Sequence, residues 1–427
     1  MIIKNFKSLA TTKAKKDALQ ILEAGYAAAQ PKNFLRNFVK KNEIRLGKKR
    51  LILSDYEKIF VIAFGKAADS MAKAVSETLD ISYGIVVIPQ YSKSLLSNKK
   101  FKVFYSGHPI PDKESVRAGK AVLKFANNCS KRDFVIFLVS GGGSSLLALP
   151  DQITLSEKKR VTKLLWHSGA SINEFNCVRK HLSQIKGGKL VQKMNNDACA
   201  LIMSDVVGND ISVISSGCTF YDKTTFSDAL KVITKYSLVE KFPKKVITHI
   251  RQNLSSKDIF QKNPRIRNKI IATNQDCLDA MAAKSRTLGL KTIICPPIYH
   301  NVETSATRLV KVIPNSGKSC IIFGGEPTVD VRGNGKGGRS QELVLRILRQ
   351  IENSEHNVII SSAATDGIDG NTKYSGALIE NNSINTDNIS YYLENNDSNS
   401  FFKKYGGLIK TGYTHTNLMD FGLIVRY

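Results

Sequence analysis

At 427 residues the chain exceeds one ordinary core and predicts roughly two to three domains. Its 42% hydrophobic and 23% charged residues fit a globular protein, and no uncharged apolar run approaches the ~18 residues that would span a membrane, so no transmembrane helix is expected. The net charge of +27 raises a nucleic-acid partner, but no basic stretch is interleaved with stacking aromatics and no helix-turn-helix, RRM or zinc-finger pattern occurs. Solvated basic faces with a general pull on anionic substrates are the simpler reading.

The first residues, MIIKNFKSLATTKAKK, lack a continuous apolar core and a small-residue cleavage site, so they do not read as a secretory signal. Residues 11–30 carry Ala, Leu and Ile at helical spacing. After a basic turn, residues 59–64 predict a strand, Gly65-Lys66-Ala67-Ala68 a loop, and residues 69–79 a helix. Lys66 thus stands at a helix N-terminus, where the dipole favours anions, which hints at a role other than stability. A surface lysine would look the same. Strands at 83–89 and 102–106 and a helix at 113–127 continue an alternation that means βαβ units and a parallel sheet.

Residues 133–150, DFVIFLVSGGGSSLLALP, are the most informative stretch. An apolar, β-prone run ends in three glycines and two serines, the pattern of a buried central strand entering a tight loop. Gly141, Gly142 and Gly143 have no Cβ to keep a ligand from the backbone, so their N–H groups can converge on an anion while Ser144 and Ser145 add hydroxyls. A turn that merely lets a helix pack on the sheet is the alternative; the position at the carboxyl end of a strand favours a ligand.

Capping boxes at Thr154…Glu157 and Ser171…Glu174 open the next two helices. The second leads into a polar, basic run, Asn176, Arg179, Lys180, His181, Ser183 and Lys186, then Gly187-Gly188, which is either a solvated face or an anion-facing wall. Residues 198–204 predict a strand with Asp205 at its carboxyl end; Asp205 and Asp210 bracket a turn and could share a crevice, hold Mg²⁺ or supply a base, or simply form the turn. Residues 222–263 read as helical and basic, with a domain boundary near 245–265, and strands at 269–273 and 291–296 then begin a second α/β set.

A strand at 320–323 and a strand-like stretch at 328–332 precede a second glycine loop, GNGKGGRS, and an amphipathic helix. Gly333, Gly335 and Gly338 satisfy GxGxxG, yet the acidic ribose partner is missing; the same residues form a Walker loop with Arg339 in place of lysine. What survives is a basic loop at a helix N-terminus with a guanidinium suited to carboxylate or phosphoryl oxygens. A strand at 357–363 ends in ATDGIDG, where Asp366 and Asp369 suggest a metal or sugar-hydroxyl site. Residues 380–400 are an acidic loop or weak helix, and a short strand at 422–426 closes the chain. Charge is uneven: residues 1–50 hold 13 Lys/Arg against 3 Asp/Glu, and residues 351–400 hold 1 against 8, so the basic excess is not a uniform property of the surface. Seven dispersed cysteines with no CxxC imply reduced thiols, no structural zinc and a cytoplasmic home.

Together the motifs resemble those of the class II glycerate kinases, which join an N-terminal glycerate-kinase domain to a C-terminal MOFRL domain. The matching stretches are AFGKAA (63–68), GHPIPD (107–112), SGGGSS (140–145), GASINEFNCVRKHLSQIKGGKL (169–190), SDVVGND (204–210), GGEPTV (324–329), GKGGRSQE (335–342), ATDGIDG (364–370) and TGYTHTN (411–417). The resemblance implies two α/β domains, a Rossmann-like one over 1–255 with a mostly parallel sheet and a MOFRL one over 256–427 whose last residues could pack back on the first, with the active site in the cleft between them. It implies ATP-dependent phosphorylation of glycerate, typically at the 2-hydroxyl, with Mg²⁺ or another divalent cation. Lys66, Asp205 and Arg339 fall at positions tied to catalysis. Gly141, Gly142, Gly143, Ser144, Ser145, Lys186, Gly335, Gly337 and Gly338 are the expected nucleotide contacts, and Asp205, Asp210 and Asp366 the expected metal ligands. Departures from the family pattern occur at Asn209, Cys218, Ser340, Tyr413 and His415. Glycerate and ATP are the implied partners, with no nucleic acid and no membrane, and a homodimer is compatible with the pattern. The rival is an NAD(P)-linked hydroxypyruvate reductase, supported by GxGxxG alone; a third reading is a catalytically dead sugar-phosphate binder.

Overall fold

The computed structural model describes residues 1–97, 99–255, 262–314, 316–352, 357–383 and 388–427. It divides into two compact units, one of Phe34–Ile271 and one of Met1–Asn33 with Ala272–Tyr427.

The first unit is built on six strands: β1 (Lys58–Phe64), β2 (Tyr83–Pro89), β3 (Phe101–Ser106), β4 (Asp133–Val139), β5 (Asp197–Met203) and β6 (Ile266–Ala272), in spatial order β3-β2-β1-β4-β5-β6. Pairings from β3 through β5 are parallel. All seven residues of β4 are buried, as expected of a strand covered on both faces, which is why its sequence is one apolar run rather than an alternation. Ile62, Phe64, Val87, Val135, Phe137 and Ala200 form part of one core beneath it. Fully burying a side chain such as Phe137 contributes about 1.5–3 kcal/mol. The strand order reverses between β1 and β4, so the loops leaving these two strands flank the point where open α/β sheets bind ligands. Helices Leu155–His167, Ile172–His181, Phe226–Lys235 and Lys244–Gln252 make a separate core around Leu165, Val178, Ile233 and Ile250. Both predicted capping boxes are made: the Glu157 and Ser171 N-terminal motifs exchange their side-chain and backbone bonds as the spacing requires.

The second unit carries β7 (Lys291–Ile294), β8 (Ser319–Gly325), β9 (Val358–Ala364), β10 (Gly376–Glu380), β11 (Leu408–Ile409) and β12 (Asp420–Arg426), in order β7-β8-β12-β9-β10-β11. The terminal strand β12 runs antiparallel between β8 and β9, so its first residue lies beside their carboxyl ends: Asp420 is opposite both Gly325 and Ala364. The N-terminal helix Lys13–Ala28 belongs here as well. Its Tyr26 ring meets Phe421 edge-on at 4.8 Å and its hydroxyl donates to the Ala364 carbonyl at 3.2 Å.

Several expectations shift. The stretch around 269–273 is the outer strand β6 of the first sheet and does not begin the second set, so the division falls at 271/272 rather than after 255. The last residues are the centre of the second sheet instead of an addition to the first unit, because β12 supplies the hydrogen bonds that β8 and β9 need on their facing edges. Residues 328–332 form no strand, and the basic turn after the first helix contains a three-stranded antiparallel sheet over residues 39–52. The 380–400 stretch includes helices Ile389–Glu394 and Ser398–Tyr405, and part of it lies outside the described residues.

Candidate functional site

In the first unit, the loop after β1 and the loop after β4 are tied backbone to backbone. The Lys66 N–H donates to the Gly141 carbonyl at 2.8 Å, and the Ala67 N–H donates to Ser140 Oγ at 2.9 Å. Gly142 has φ +82°, and a Cβ there would come within 3.0 Å of the His108 ring and 3.2 Å of Lys66 Cγ, so His108 and the Lys66 stem border the glycine. The chain then turns over itself, with the Ser145 and Leu146 N–H groups both donating to the Gly142 carbonyl at 3.2 Å. Four consecutive N–H groups, those of Gly141, Gly142, Gly143 and Ser144, have no acceptor among the described residues. A row of uncommitted N–H groups at a strand-order reversal has the donor arrangement that can receive an anion.

The cradle rests on a segment the sequence did not advertise. Ser215, Ser216 and Gly217 are all left-handed, with φ of 50°, 58° and 61°. Each non-glycine residue in that region costs roughly 1–2 kcal/mol, and here side-chain bonds hold it in place. Ser215 Oγ donates to the Ser140 carbonyl at 2.8 Å; Ser216 Oγ lies 2.7 Å from Ser144 Oγ and donates to Asn176 Oδ1 at 3.3 Å. The pair in SSG reads as ordinary loop, so nothing local marks Ser215 and Ser216, whereas Asn176 belongs to the polar run that follows Ser171.

Lys186, expected at the nucleotide, is a buried strut. Its ammonium donates to the carbonyls of Gly143 at 3.0 Å and Ser215 at 3.2 Å and lies 3.4 Å from Cys218 Sγ. Burial lowers its pKa, and with its donors committed beneath the loop it braces the cradle rather than facing a ligand. Asp205 follows β5, the neighbour of β4, and is half-buried at the same edge of the sheet as Lys66 and the cradle. Asp210 is exposed and accepts from the Ser212 N–H at 2.8 Å, the turn-forming role of an aspartate. Asp205 and Asp210 therefore differ in setting, and among the described residues no three His, Cys, Asp or Glu side chains gather into a metal site.

In the second unit the glycine loop is occupied by the protein itself. Gly335 N–H donates to the Asn395 carbonyl at 2.9 Å, Lys336 N–H to Asp397 Oδ1 at 2.9 Å and Gly337 N–H to Asn371 Oδ1 at 3.0 Å. A Cβ on Gly335 would lie 2.5 Å from the Asn395 carbonyl oxygen, and one on Gly338 2.2 Å from Asp369 Oδ1. Gly335, Gly337 and Gly338, expected as nucleotide contacts, are instead needed for close packing against segments 369–371 and 395–398. Asp369 caps the helix Arg339–Gln350, accepting from Ser340 N–H at 3.0 Å and from the Gln341 N–H and Nε2 at 2.9 Å each. Burial, reinforced by the charge of Asp420, raises its pKa to about 7 against the pull of those donors. Asp366 accepts from the Ile368 N–H at 3.0 Å.

Arg339 stands at the start of that helix with its guanidinium between two carboxylates. Nε and Nη2 donate to Asp420 at 2.5 and 3.1 Å, and Nη1 donates to Glu326 at 2.5 Å. Burial opposes the charge, but Asp420 and Glu326 outweigh it and raise the Arg339 pKa well above its usual range. Glu326 follows β8, Asp366 follows β9 and Asp420 begins the antiparallel β12 between them, so the topology brings these acids to one edge. Glu326 sits in a motif already singled out and Asp420 does not; only the register of a strand distant in sequence could have marked it.

Two families match the chain: the domain of unknown function DUF4147 over residues 17–251 and the MOFRL family over residues 319–420. The chain is 35% identical to the glycerate 2-kinase of Pyrococcus horikoshii over 420 residues, covering 94% of each, and 34% identical to the D-glycerate 2-kinase of Thermotoga maritima over 433 residues, covering 96% of this chain and 98% of that one. A crystal structure of a glycerate kinase from Thermotoga maritima superposes with a TM-score of 0.83 at 33% identity, covering 96% of this chain and 99% of that one.

Proposed function

The chain belongs to the glycerate 2-kinase family built from DUF4147 and MOFRL domains, and from that premise we propose that it phosphorylates D-glycerate with ATP, at the 2-hydroxyl, to give 2-phosphoglycerate and ADP. The observation that carries the reading at the level of residues is the row of four N–H groups from Gly141 to Ser144 at the strand-order reversal. Phosphoryl transfer calls for alignment and charge neutralisation more than covalent chemistry. The N–H row and the Lys66 ammonium suit the oxygens of the nucleotide's phosphates. Asp205 accepts the proton of the attacking 2-hydroxyl as its oxygen bonds to the γ-phosphorus, and the β–γ bridging oxygen leaves with ADP. Arg339 is assigned to an anionic oxygen of the reacting pair, on the γ-phosphoryl group or the glycerate carboxylate.

A divalent cation, Mg²⁺ or another, fits as a passenger on the nucleotide, since one or two carboxylates suffice for an ion already held by phosphates. Asp205 is the residue we assign to it, in the alternative in which this carboxylate positions the 2-hydroxyl through the ion instead of taking its proton. Asp210 and Asp366 each commit an oxygen to a backbone N–H and are not carried forward. The reductase reading loses support, because three N–H groups of the GxGxxG loop on which it rested, those of Gly335, Lys336 and Gly337, are bound by Asn395, Asp397 and Asn371. Seven free cysteines support a cytoplasmic setting, and no described helix is long and apolar enough to cross a membrane. The test is ADP formation that depends on D-glycerate, run beside NADH oxidation with hydroxypyruvate, with NMR of the product to fix the phosphorylated oxygen. NADH oxidation without glycerate-dependent ADP would sink the assignment.

A further inference from the structure

The two carboxylates on Arg339 are not equivalent. Asp420 takes Nε and Nη2 from within strand β12, and its side chain is 4% exposed; Glu326 takes Nη1 from the loop after β8, and its side chain is 47% exposed. The backbone of Glu326 is fixed, with its N–H donating to the Ile298 carbonyl at 2.9 Å, while its carboxylate can leave the guanidinium by side-chain rotation into solvent. Asp420 has no such freedom. One guanidinium thus faces two negative charges, with Asp366 and Asp369 adding to the field on Asp420 or Arg339, an excess that an ion pair built only for stability does not need. An incoming carboxylate or phosphoryl oxygen requires an outward N–H of a guanidinium that is already oriented, and Nη1 is the donor on the exposed side.

We propose that Glu326 is an internal stand-in for the substrate's anionic group: it holds Nη1 of Arg339 until a substrate carboxylate or phosphoryl oxygen displaces it, while the Asp420 fork keeps the guanidinium in place. The inference rests on the reading of Arg339 as a substrate-facing residue. Its consequence is that Glu326 competes with substrate, so the enzyme's apparent affinity is reduced by the fraction of molecules in which the pair is closed.

The experiment measures kcat, the KM for glycerate and for ATP, and the inhibition constant of sulfate in wild type, E326Q and R339A. Glu326 is half-exposed and makes one side-chain bond, so E326Q folds, and a thermal melt checks this alongside. E326Q is expected to lower one of the two KM values and the sulfate inhibition constant by about two- to fivefold, the scale of a partly exposed ion pair, with kcat within about twofold of wild type. An unchanged or raised KM together with an unchanged sulfate constant overturns the stand-in. A kcat loss of about tenfold or more in E326Q also overturns it, since Glu326 would then take part in the chemistry. R339A separates the two levels: wild-type turnover there removes Arg339 from the reaction and both readings fall, whereas a strong loss in R339A beside an unresponsive E326Q defeats the stand-in alone.

Discussion

The glycine loops at 141–143 and 333–338 each lie ahead of a helix, each contain a left-over pattern of phosphate-binding motifs, and differ in where their backbone hydrogens point. At 141–144 four N–H groups in a row have no acceptor among the described residues, and the braces come from below, through Lys186, Ser215 and Ser216. At 333–338 four N–H groups, those of Gly333, Gly335, Lys336 and Gly337, end on Asn396, Asn395, Asp397 and Asn371, and the missing Cβ atoms make room for the protein's own backbone. Glycine serves both purposes, so a glycine-rich loop is diagnostic of a ligand only once its donors have been followed to their acceptors.

The contrast can be broken in several ways. The largest effect is expected beside the open loop: K66A should lower kcat by about a hundredfold or more, the scale of removing one group that stabilises developing charge, with the thermal midpoint little changed. Turnover near wild type would take the lysine out of the cradle. The closed loop should announce itself through pH instead. Asp369 titrates near 7 in the folded protein against an ordinary 3.8, so the folded state keeps a proton that the unfolded state has lost, and stability falls as pH rises from about 4 to about 7. Chemical denaturation across that window should show a loss on the order of a few kcal/mol in wild type and a flatter profile in D369N. Parallel profiles for the two proteins would remove Asp369 as the source. G335A, whose Cβ would meet the Asn395 carbonyl oxygen and Asp397 at 2.5 Å, should cost about 1–3 kcal/mol in denaturant melts while leaving the KM for ATP alone. The smallest change is S216A, which loses the link between Ser144 and Asn176 and should destabilise by about 0.5–1.5 kcal/mol.

Much of this architecture was readable in the chain because it depends on local pattern. The run from 133 to 150 declared a buried strand and a glycine turn, the Thr154 and Ser171 capping boxes marked helix starts, and the alternation from 58 to 139 declared a parallel sheet. What escaped depends on contacts far apart in sequence. Residues 266–272 look like the start of something new, since nothing local says that they complete the edge of a sheet begun two hundred residues earlier. Asp420 became a partner of Arg339 only through the insertion of the last strand between two earlier ones. Lys186 sits in a basic run that resembles an anion-facing wall, and its inward direction is set by the carbonyls of Gly143 and Ser215. The resemblance to glycerate kinases carried the reaction; the direction of each donor came from the fold.

The most direct test of the account is the equilibrium affinity for ATP of wild type, G142A and G335A, measured by titration of the folded proteins. Gly142 holds a left-handed φ of +82° with His108 and Lys66 against it, so a methyl group there disturbs the row of N–H donors. ATP should bind G142A about tenfold or more weakly, the scale of one charged hydrogen bond, and bind G335A as it binds wild type. Undiminished binding by G142A together with loss of binding in G335A would place the nucleotide's phosphates on the other loop and contradict the account.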